Sequence, residues 1–214
     1  TALQSYNQLM WFDGTADCVQ TSPSGSIWNA SGSYGDWNSV SCWVYQNEGQ
    51  TSGDYWSIEN VMPALYFQSN STNYWIGYNT GNGDVFGIET AKTNIDGKWH
   101  HWVMNWKRNN NSADTAISAS DVELFWNGEK QTLAYHTPTT DSNPVSHASD
   151  ADINFMCNSA ANAQFVNGSI TEISTWADQL TLAEVEELYN DGKALDALTH
   201  SNVSNLTAYW RNNG

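Results

Sequence analysis

The chain has 214 residues, of which 23 are Asp or Glu and only 7 are Lys or Arg, giving a formal net charge of -16. So acidic a surface repels nucleic-acid phosphates and anionic lipid headgroups, so we expect neither as a partner. No apolar run approaches the roughly 18 residues that a membrane-spanning helix needs, so we expect no membrane insertion. The length suits one all-β domain with a full core.

Near the start of the chain, the segment FDGTAD at positions 12–17 joins two apolar, strand-like segments. Its Asp13-Gly14 pair predicts a tight turn, because glycine adopts positive φ and the aspartate carboxylate bonds the nearby backbone. The residues alone leave two interpretations open. Either the segment is a hairpin corner with Asp17 as a surface charge, or Asp13 and Asp17 are oxygen ligands for a hard cation.

Alternating apolar and polar residues, bounded by Gly, Asn and Asp, predict a series of strands along most of the chain. The predicted strands are 39–46, 55–60, 64–69, 74–79, 84–90, 99–106, 122–126, 153–157 and 168–176. The pairs Asp96-Gly97 and Asn127-Gly128 predict hairpin turns. Because no segment with helical periodicity interrupts this series, we expect an antiparallel all-β sandwich rather than a parallel β-α-β fold.

One short helix is predicted late in the chain. Thr181 and Glu184 form a capping-box pattern, and Gly192 follows as a stop signal. Between them lies one apolar stripe, formed by Leu182, Val185, Leu188 and Tyr189. We expect this helix to pack on an edge or end of the sandwich.

The three cysteines, Cys18, Cys42 and Cys157, lack any C-x-x-C metal spacing. Each lies in an apolar, strand-like stretch, which favours three buried thiols slightly over one disulfide with a spare thiol. Both alternatives stay open from the sequence.

Five segments occur in a fixed order: MWFDGTADCV (10–19), SVSCWVYQ (39–46), DGKWHHWVMNW (96–106), VELFWNGEK (122–130) and FVNGSITEISTWADQLTLAEVEELYNDG (165–192). Together they resemble the laminin-G-like domains of the concanavalin A-like lectin/glucanase superfamily. The resemblance implies a two-sheet antiparallel jelly roll in an extracellular, cell-surface or virion-surface protein. We expect the domain to span 1–205, with 206–214 as a closing strand or the start of a following segment.

The resemblance also implies what a glycan-cleaving member would carry. Such members commonly have an E-x-D-x-x-E strand motif that sets nucleophile and acid against the sugar, and this chain lacks it. Its nearest approaches are Asp121-x-Glu123, typical of a solvated strand face, and the single Glu172. The R-x-E and Q-x-H patterns of jelly-roll polysaccharide lyases are also missing. We expect no catalytic residues, so glycoside hydrolase or polysaccharide lyase activity is the least favoured alternative.

Calcium is the cofactor that the resemblance implies, since many similar proteins hold this ion against the sandwich through carboxylate, amide and carbonyl oxygens. The candidate ligands are Asp13 and Asp17 in FDGTAD, with Glu172 on a late strand expected to run nearby. The alternative is turn chemistry for Asp13 and a surface charge for Asp17.

Aromatic residues are the second candidate for binding, with 12 Trp and 10 Tyr in a chain of low charge content. Their rings stack on the apolar faces of sugars while neutral polar neighbours bond the hydroxyls. Trp43, Trp99 and Trp176 lie in segments that match the family strands and are interpreted as core or sheet-face packing. Those in turn-rich segments are expected to be exposed candidates for ligand stacking, with loop anchoring as the alternative: Trp28, Tyr34, Trp37, Tyr55, Trp56 and Trp75.

The leading functional hypothesis is a non-catalytic recognition module that binds carbohydrate or another cell-surface ligand within a larger secreted or virion protein. The alternative is a structural surface subunit, such as a phage capsid decoration or appendage component, whose partners are other virion or appendage subunits. Fold resemblance, abundant aromatics and the missing carboxylate motif support the recognition module, whereas acidity with few basic residues supports the structural subunit.

Overall fold

The computed structural model describes residues 10–22, 25–28, 36–59, 63–79, 85–107, 119–137 and 150–211. Within these ranges the chain forms two antiparallel β-sheets of seven strands each. No helix in these ranges is long and apolar enough to cross a bilayer.

Sheet 1 contains, in spatial order, β1 (Trp11–Asp13), β13 (Asn167–Trp176), β3 (Trp37–Gln46), β8 (Trp99–Lys107), β9 (Val122–Trp126) and β10 (Glu129–Lys130), with β14 (Leu206–Trp210) also paired to β13. Sheet 2 contains β11 (Ala134–Thr137), β7 (Val85–Ala91), β6 (Asn73–Asn79), β5 (Ala64–Ser69), β4 (Ser52–Ile58), β12 (Ile153–Phe155) and β2 (Val19–Gln20). The predicted all-β sandwich is confirmed. Its strands follow the alternating segments, and the predicted bounds of β5 and β9 match those observed.

The core lies between the inner faces of the two sheets, where most of the inward-facing side chains are apolar. Aromatic side chains dominate it, and the largest fully buried ones include Trp56, Trp102, Trp106, Tyr55, Tyr74, Tyr78 and Phe67. Many of the aromatic side chains are therefore core residues, and only the others are available at the surface.

Two of the predicted turns connect the sheets instead of forming hairpins. FDGTAD leads from β1 in sheet 1 to β2 in sheet 2, and Asp96-Gly97 lies between β7 in sheet 2 and β8 in sheet 1. A short helix that was not predicted, α1 (Lys92–Ile95), precedes Asp96-Gly97. The hairpin prediction was wrong at Asp96-Gly97, because a tight turn signal specifies local backbone shape and not which strands then pair.

The Asn127-Gly128 hairpin is confirmed. It joins β9 to β10, with Glu129 opposite Trp126, and both turn residues have positive φ, 52° for Asn127 and 84° for Gly128. Two left-handed residues in a two-residue loop match the right-handed twist of the strands that they connect.

The late helix, α2 (Leu182–Tyr189), is confirmed together with its capping box: the Thr181 hydroxyl accepts from the Glu184 backbone N–H, and the Glu184 carboxylate accepts from the Thr181 N–H. Val185 and Leu188 pack on a second cluster, outside sheet 1, that includes Val103, Phe125, Trp176 and Leu180. Leu182 does not belong to this contact, being 46% exposed. The predicted stripe is wrong there because the first helical residue faces solvent.

Cys18 and Cys157 form a disulfide that closes a sequence separation of 139 residues, whereas Cys42 is a buried free thiol. Burial raises the pKa of the Cys42 thiol, which keeps it protonated. The slightly favoured interpretation of three thiols was wrong, and one disulfide with a spare thiol is what the fold contains. Such a bond is typical of proteins from oxidising, extracellular surroundings.

The segment LTAYW forms β14, which pairs with β13 at Ile173–Trp176, on the same side where β1 pairs at Asn167–Ser169. Two short strands thus share one side of the long β13. The proposed domain boundary at residue 205 stays a prediction.

Candidate functional site: an aromatic cleft on sheet 1

Three of the aromatic residues that the sequence places on the surface are buried in the core. Trp28 is 2% exposed, and Tyr55 and Trp56 are both 0% exposed. The register of β4 shifts between Asp54 and Trp56, and this bulge turns Tyr55 and Trp56, although consecutive, into the same core. The prediction that these three are exposed was wrong, because a bulge and tertiary contacts overrode the local turn signals.

Trp28 is anchored from its loop: its indole N–H donates to the Ala151 carbonyl at 2.8 Å, and its ring lies 5.7 Å from that of Trp106. Loop anchoring, the alternative that the sequence left open, is therefore its observed role.

The other aromatic candidates are not brought together. Trp37 is half-buried at the start of β3, with the Lys107 ammonium 5.2 Å from its ring centre. Trp75 is half-buried in β6 of the other sheet, between Gln68 and Glu89. Tyr34 lies outside the described residues. Ligand stacking on Trp37 or Trp75 stays a prediction.

The three predicted calcium ligands do not form one site. Asp13 and Asp17 belong to one exposed turn, in which the Asp13 carboxylate accepts from the Thr15 N–H at 2.6 Å and the Asp17 carboxylate accepts from the Asp13 N–H at 3.1 Å. Asp13 pairs with Asn167 on β13, and Glu172 lies about 16 Å further along that strand at ~3.3 Å per residue. Glu172 is buried and bonded by the Tyr209 hydroxyl.

Among the described residues, no three His, Cys, Asp or Glu side chains cluster in a way that would hold a metal ion. The set Asp13, Asp17 and Glu172 therefore does not fit a single calcium ion. Only the first two residues remain as a candidate pair.

The carboxylates considered for catalysis are engaged in structural contacts. Glu123 accepts hydrogen bonds from Lys130, Asn105 and Gln179 at 2.5 to 3.0 Å. Burial raises the pKa of Glu123, but these three donors outweigh burial and lower it below its usual value. Asp121 pairs with Lys107 at 3.1 Å. Glu123 therefore lacks the raised pKa that a general acid for glycoside cleavage requires.

The structure does bring aromatic residues together on the outer face of sheet 1, the face turned away from the core. Trp11 on β1 lies opposite Ser169 on β13, Ser169 lies opposite Tyr45 on β3, and Tyr45 lies opposite Trp99 on β8. The ring centres of Trp11 and Tyr45 are 6.2 Å apart, and those of Tyr45 and Trp99 are 5.7 Å apart. We call Trp11, Tyr45 and Trp99 the aromatic row.

Trp11 is 55% exposed, whereas Tyr45 and Trp99 are half-buried. The small Ser169 side chain between Trp11 and Tyr45 lets their rings lean together, although two strand spacings separate their backbones. The row is thus an open aromatic strip across four neighbouring strands.

Next to the row, α2 ends above a second set of rings. Tyr189, its last residue, stacks on Trp43 with ring centres 5.8 Å apart and on His101 with ring centres 6.0 Å apart. Burial lowers the pKa of His101 to about 3, so this imidazole is neutral at physiological pH. Trp43 is buried beneath Tyr189, as the interpretation of sheet-face packing predicts.

A cleft of about 450 Å³ lies between these two sets of rings, and we call it the aromatic cleft. Its lining consists of Trp43, Tyr45, Gly97, Lys98, Trp99, Asn127, Tyr189, Asp191 and Gly192. Asp191 has a left-handed backbone, with φ 52°, and its exposed carboxylate stands at the rim. Lys98 donates to the Thr93 carbonyl at 2.7 Å. The cleft combines apolar ring faces with a few polar groups, which is typical of ligand sites.

A buried polar network supports one wall of the cleft. The Asp96 carboxylate accepts from the Tyr74 hydroxyl at 2.8 Å and from the Gln46 amide at 3.3 Å, and Gln46 accepts from the Tyr55 hydroxyl at 2.5 Å. The Gly97 N–H donates to the Gln46 carbonyl at 2.8 Å. These bonds hold the turn before Trp99 against both sheets, so the wall is preorganised.

Sequence reasoning missed the cleft because Trp43, Tyr45 and Trp99 lie inside strong strand patterns, which indicate packing. The available signal was the spacing of two between Trp43 and Tyr45, which places both rings on one face of a strand. That spacing alone does not say whether the face is covered, and the pairing of Trp99 with Tyr45 depends on register.

A larger, more apolar groove of about 700 Å³ lies beside β14, lined in part by Val19, Phe155 and Trp210. Two of its lining residues, Met10 and Arg211, are the first and last that the structure describes. We therefore prefer the aromatic cleft as the candidate site.

Comparison with known proteins agrees with this architecture. The structure is similar to a heptameric SAP-like pentraxin from Limulus polyphemus, with a TM-score of 0.59, 10% identity, and coverage of 95% of this chain and 91% of the pentraxin. It is similar to a putative carbohydrate-binding protein from Bacteroides ovatus, with a TM-score of 0.51, 9% identity, and coverage of 96% and 53%.

It is also similar to tailspike protein 2 from the Escherichia coli O157:H7 bacteriophage CAB120, with a TM-score of 0.55, 13% identity, and coverage of 100% and 31%. At these identities the likeness shows a shared fold and not a shared activity. No curated protein sequence is significantly similar to this chain.

The model of one protein family, described as concanavalin A-like lectin/glucanases superfamily, matches residues 13–186. That range contains most of both sheets and the start of α2. The chain therefore belongs to the concanavalin A-like lectin/glucanases superfamily.

Proposed function

We propose that this chain is a non-catalytic recognition module that binds carbohydrate in the aromatic cleft. The observation that carries the proposal is the aromatic row, in which the rings of Tyr45 and Trp99 border the cleft and Trp11 lies 55% exposed beside it. An exposed Trp11 beside two half-buried rings, on a protein of net charge -16, favours a binding role over a packing role.

The chemistry of the cleft suits a sugar. Indole and phenol faces offer dispersion contacts to the C–H faces of a pyranose. The Asp191 carboxylate accepts hydrogen bonds from hydroxyl groups, and the Lys98 ammonium retains donors beyond its bond to Thr93. Because burial keeps His101 neutral, this imidazole adds no positive charge beneath Tyr189.

The similar structures support the proposal. One is named as a putative carbohydrate-binding protein and another as a phage tailspike, and this chain covers 53% and 31% of them. The disulfide between Cys18 and Cys157 agrees with a secreted or virion protein. We propose this setting for the chain, with the ligand on a cell surface.

The test is a glycan array followed by calorimetry on the glycans that bind. Trp99→Ala should weaken binding of the best neutral glycan at least tenfold, because it removes one wall of the cleft. Trp75→Ala tests the ligand-stacking position that was predicted from the sequence, because Trp75 lies on the other sheet. Absence of any glycan binding, or a loss caused by Trp75→Ala and not by Trp99→Ala, would contradict the proposal.

The alternative function is a structural surface subunit, and a different observation favours it. Leu198 and Val203 are exposed apolar residues close in sequence to β14, and Leu198 lines the larger groove beside that strand. Exposed apolar residues near one another in the chain suit protein–protein contact. Regular self-assembly in electron micrographs, together with an empty glycan array, would favour this alternative.

A further inference from the structure

We propose that Trp11 forms a second sugar-stacking position, so that the site takes an uncharged oligosaccharide of at least two pyranose units along the aromatic row. This inference rests on the proposed function and extends it from the cleft to Trp11, which lies outside the cleft lining. The cleft itself accommodates the first unit against Trp99 and Tyr45.

The spacing of the rings is the first argument. Successive ring centres in the row are 5.7 Å and 6.2 Å apart, which is close to the length that one pyranose unit adds to an oligosaccharide. A chain that runs across the strands from the cleft therefore meets Trp11 about one unit beyond the unit that contacts Tyr45. Trp11 is 55% exposed, so its ring face is available for this contact.

The orientation of the rings is the second argument. The planes of Trp11 and Tyr45 differ by 43°, and those of Tyr45 and Trp99 differ by 55°. A flat array of parallel sugar chains contacts only one such ring at a time, because the rings are not coplanar. A single chain that turns at each glycosidic bond can set successive units against rings of different tilt. The geometry therefore favours a soluble, twisted glycan chain over the flat surface of an insoluble polysaccharide.

Charge is the third argument. The protein carries a net charge of -16, and the carboxylate at the cleft rim belongs to Asp191. Among the described residues that line the cleft, the positive charge of Lys98 is balanced by the negative charge of Asp191. Sulfated or uronic acid glycans would approach this surface against electrostatic repulsion, so an uncharged chain is favoured.

The experiment uses calorimetry with glucose, maltose, cellobiose, laminaribiose and the longer oligomers of each series. For the series that binds, we expect the parent protein to gain affinity from one sugar unit to the next. Trp11→Ala should leave the monosaccharide affinity unchanged and lower that of the longer oligomers about threefold to tenfold, as expected for one ring contact. Leu182→Ala, which removes another exposed apolar side chain outside the row, should change neither affinity.

The possible results separate the two proposals. If the parent and Trp11→Ala bind oligomers of every length with equal affinity, the second position is overturned. The proposal of binding in the aromatic cleft still stands in that case if Trp99→Ala weakens binding. Tighter binding of heparin or alginate than of any uncharged oligomer would overturn the inference that the ligand is uncharged. Absence of all glycan binding by the parent would overturn both the second position and the proposed function.

Discussion

The ring of Tyr189, the last residue of α2, stacks on Trp43 of β3 with ring centres 5.8 Å apart and ring planes 17° apart. The Asn127-Gly128 hairpin lies against the same ring, since a Cβ added to Gly128 would come within 2.9 Å of Tyr189 Cδ1. The absence of a side chain at Gly128 therefore allows the helix end, the hairpin and β3 to meet at the cleft.

Gly128→Ala should destabilise the protein by about 2–3 kcal/mol and displace Tyr189. Roughly 1–2 kcal/mol is expected from the left-handed backbone, and the remainder from the contact with the ring. Gly49→Ala is the matched control, because Gly49 has φ +85° against +84° for Gly128 but no heavy atom within 4 Å of the added Cβ. Urea unfolding measures both, and equal losses in the two variants would show that the ring contact contributes nothing.

Trp99→Ala should cost only about 1–2 kcal/mol of unfolding free energy, because the side chain is half-buried on the outer face of β8. Trp102→Ala on the same strand should cost about 3–5 kcal/mol, since Trp102 is fully buried between the sheets and its removal leaves a cavity. Denaturant melts of the two variants provide the comparison. A larger loss for Trp99→Ala would place Trp99 in the core and remove it from the cleft.

The buried Asp54 should make stability depend on pH. Its carboxylate is fully buried with no hydrogen-bond partner in the described part of the chain, and burial raises its pKa well above the usual 3.8. A raised folded-state pKa means that the folded form holds the proton more tightly. The stability from this group is therefore complete below about pH 3.8 and is lost as the pH rises toward the folded-state pKa.

Asp54→Asn removes this titration while keeping the shape, so the variant should be more stable than the parent at neutral pH, with a gain that shrinks toward pH 4. Urea melts at a series of pH values measure the difference. Asp17→Asn is the control, because Asp17 is exposed in the described structure. If the difference in unfolding free energy between Asp54→Asn and the parent stays constant across the pH series, the raised pKa of Asp54 is contradicted.

Calcium binding stays a prediction, and the geometry restricts it to the FDGTAD turn. An ion held by Asp13 and Asp17 would stabilise the folded state by about 2.7 to 4.1 kcal/mol at 100 to 1,000 times its dissociation constant. Asp13→Asn and Asp17→Asn should each abolish the resulting rise in melting temperature. Glu172→Gln should leave the calcium-dependent rise intact, because Glu172 lies far along β13 from this turn. No calcium heat in calorimetry of the parent would exclude the site.

Local patterns in the sequence determined the elements of this fold. Period-two alternation identified nearly all the long strands, the Thr181 and Glu184 pair identified the start of α2, and Asn127-Gly128 identified a hairpin. These features depend on backbone preferences and hydrogen bonds within a few residues, so a single sequence contains them. The resemblance of five ordered segments to one superfamily was confirmed for the same reason, since each segment is locally distinctive.

Only the tertiary structure decided which rings face solvent. Tyr55 and Trp56 turn into the core through a bulge, and the row of Trp11, Tyr45 and Trp99 exists because three strand pairings align residues far apart in sequence. The pairing of Cys18 with Cys157 depends on the same non-local contacts. Register is set by the packing of the whole sandwich, and shifting one strand by one residue would turn its rings to the other face.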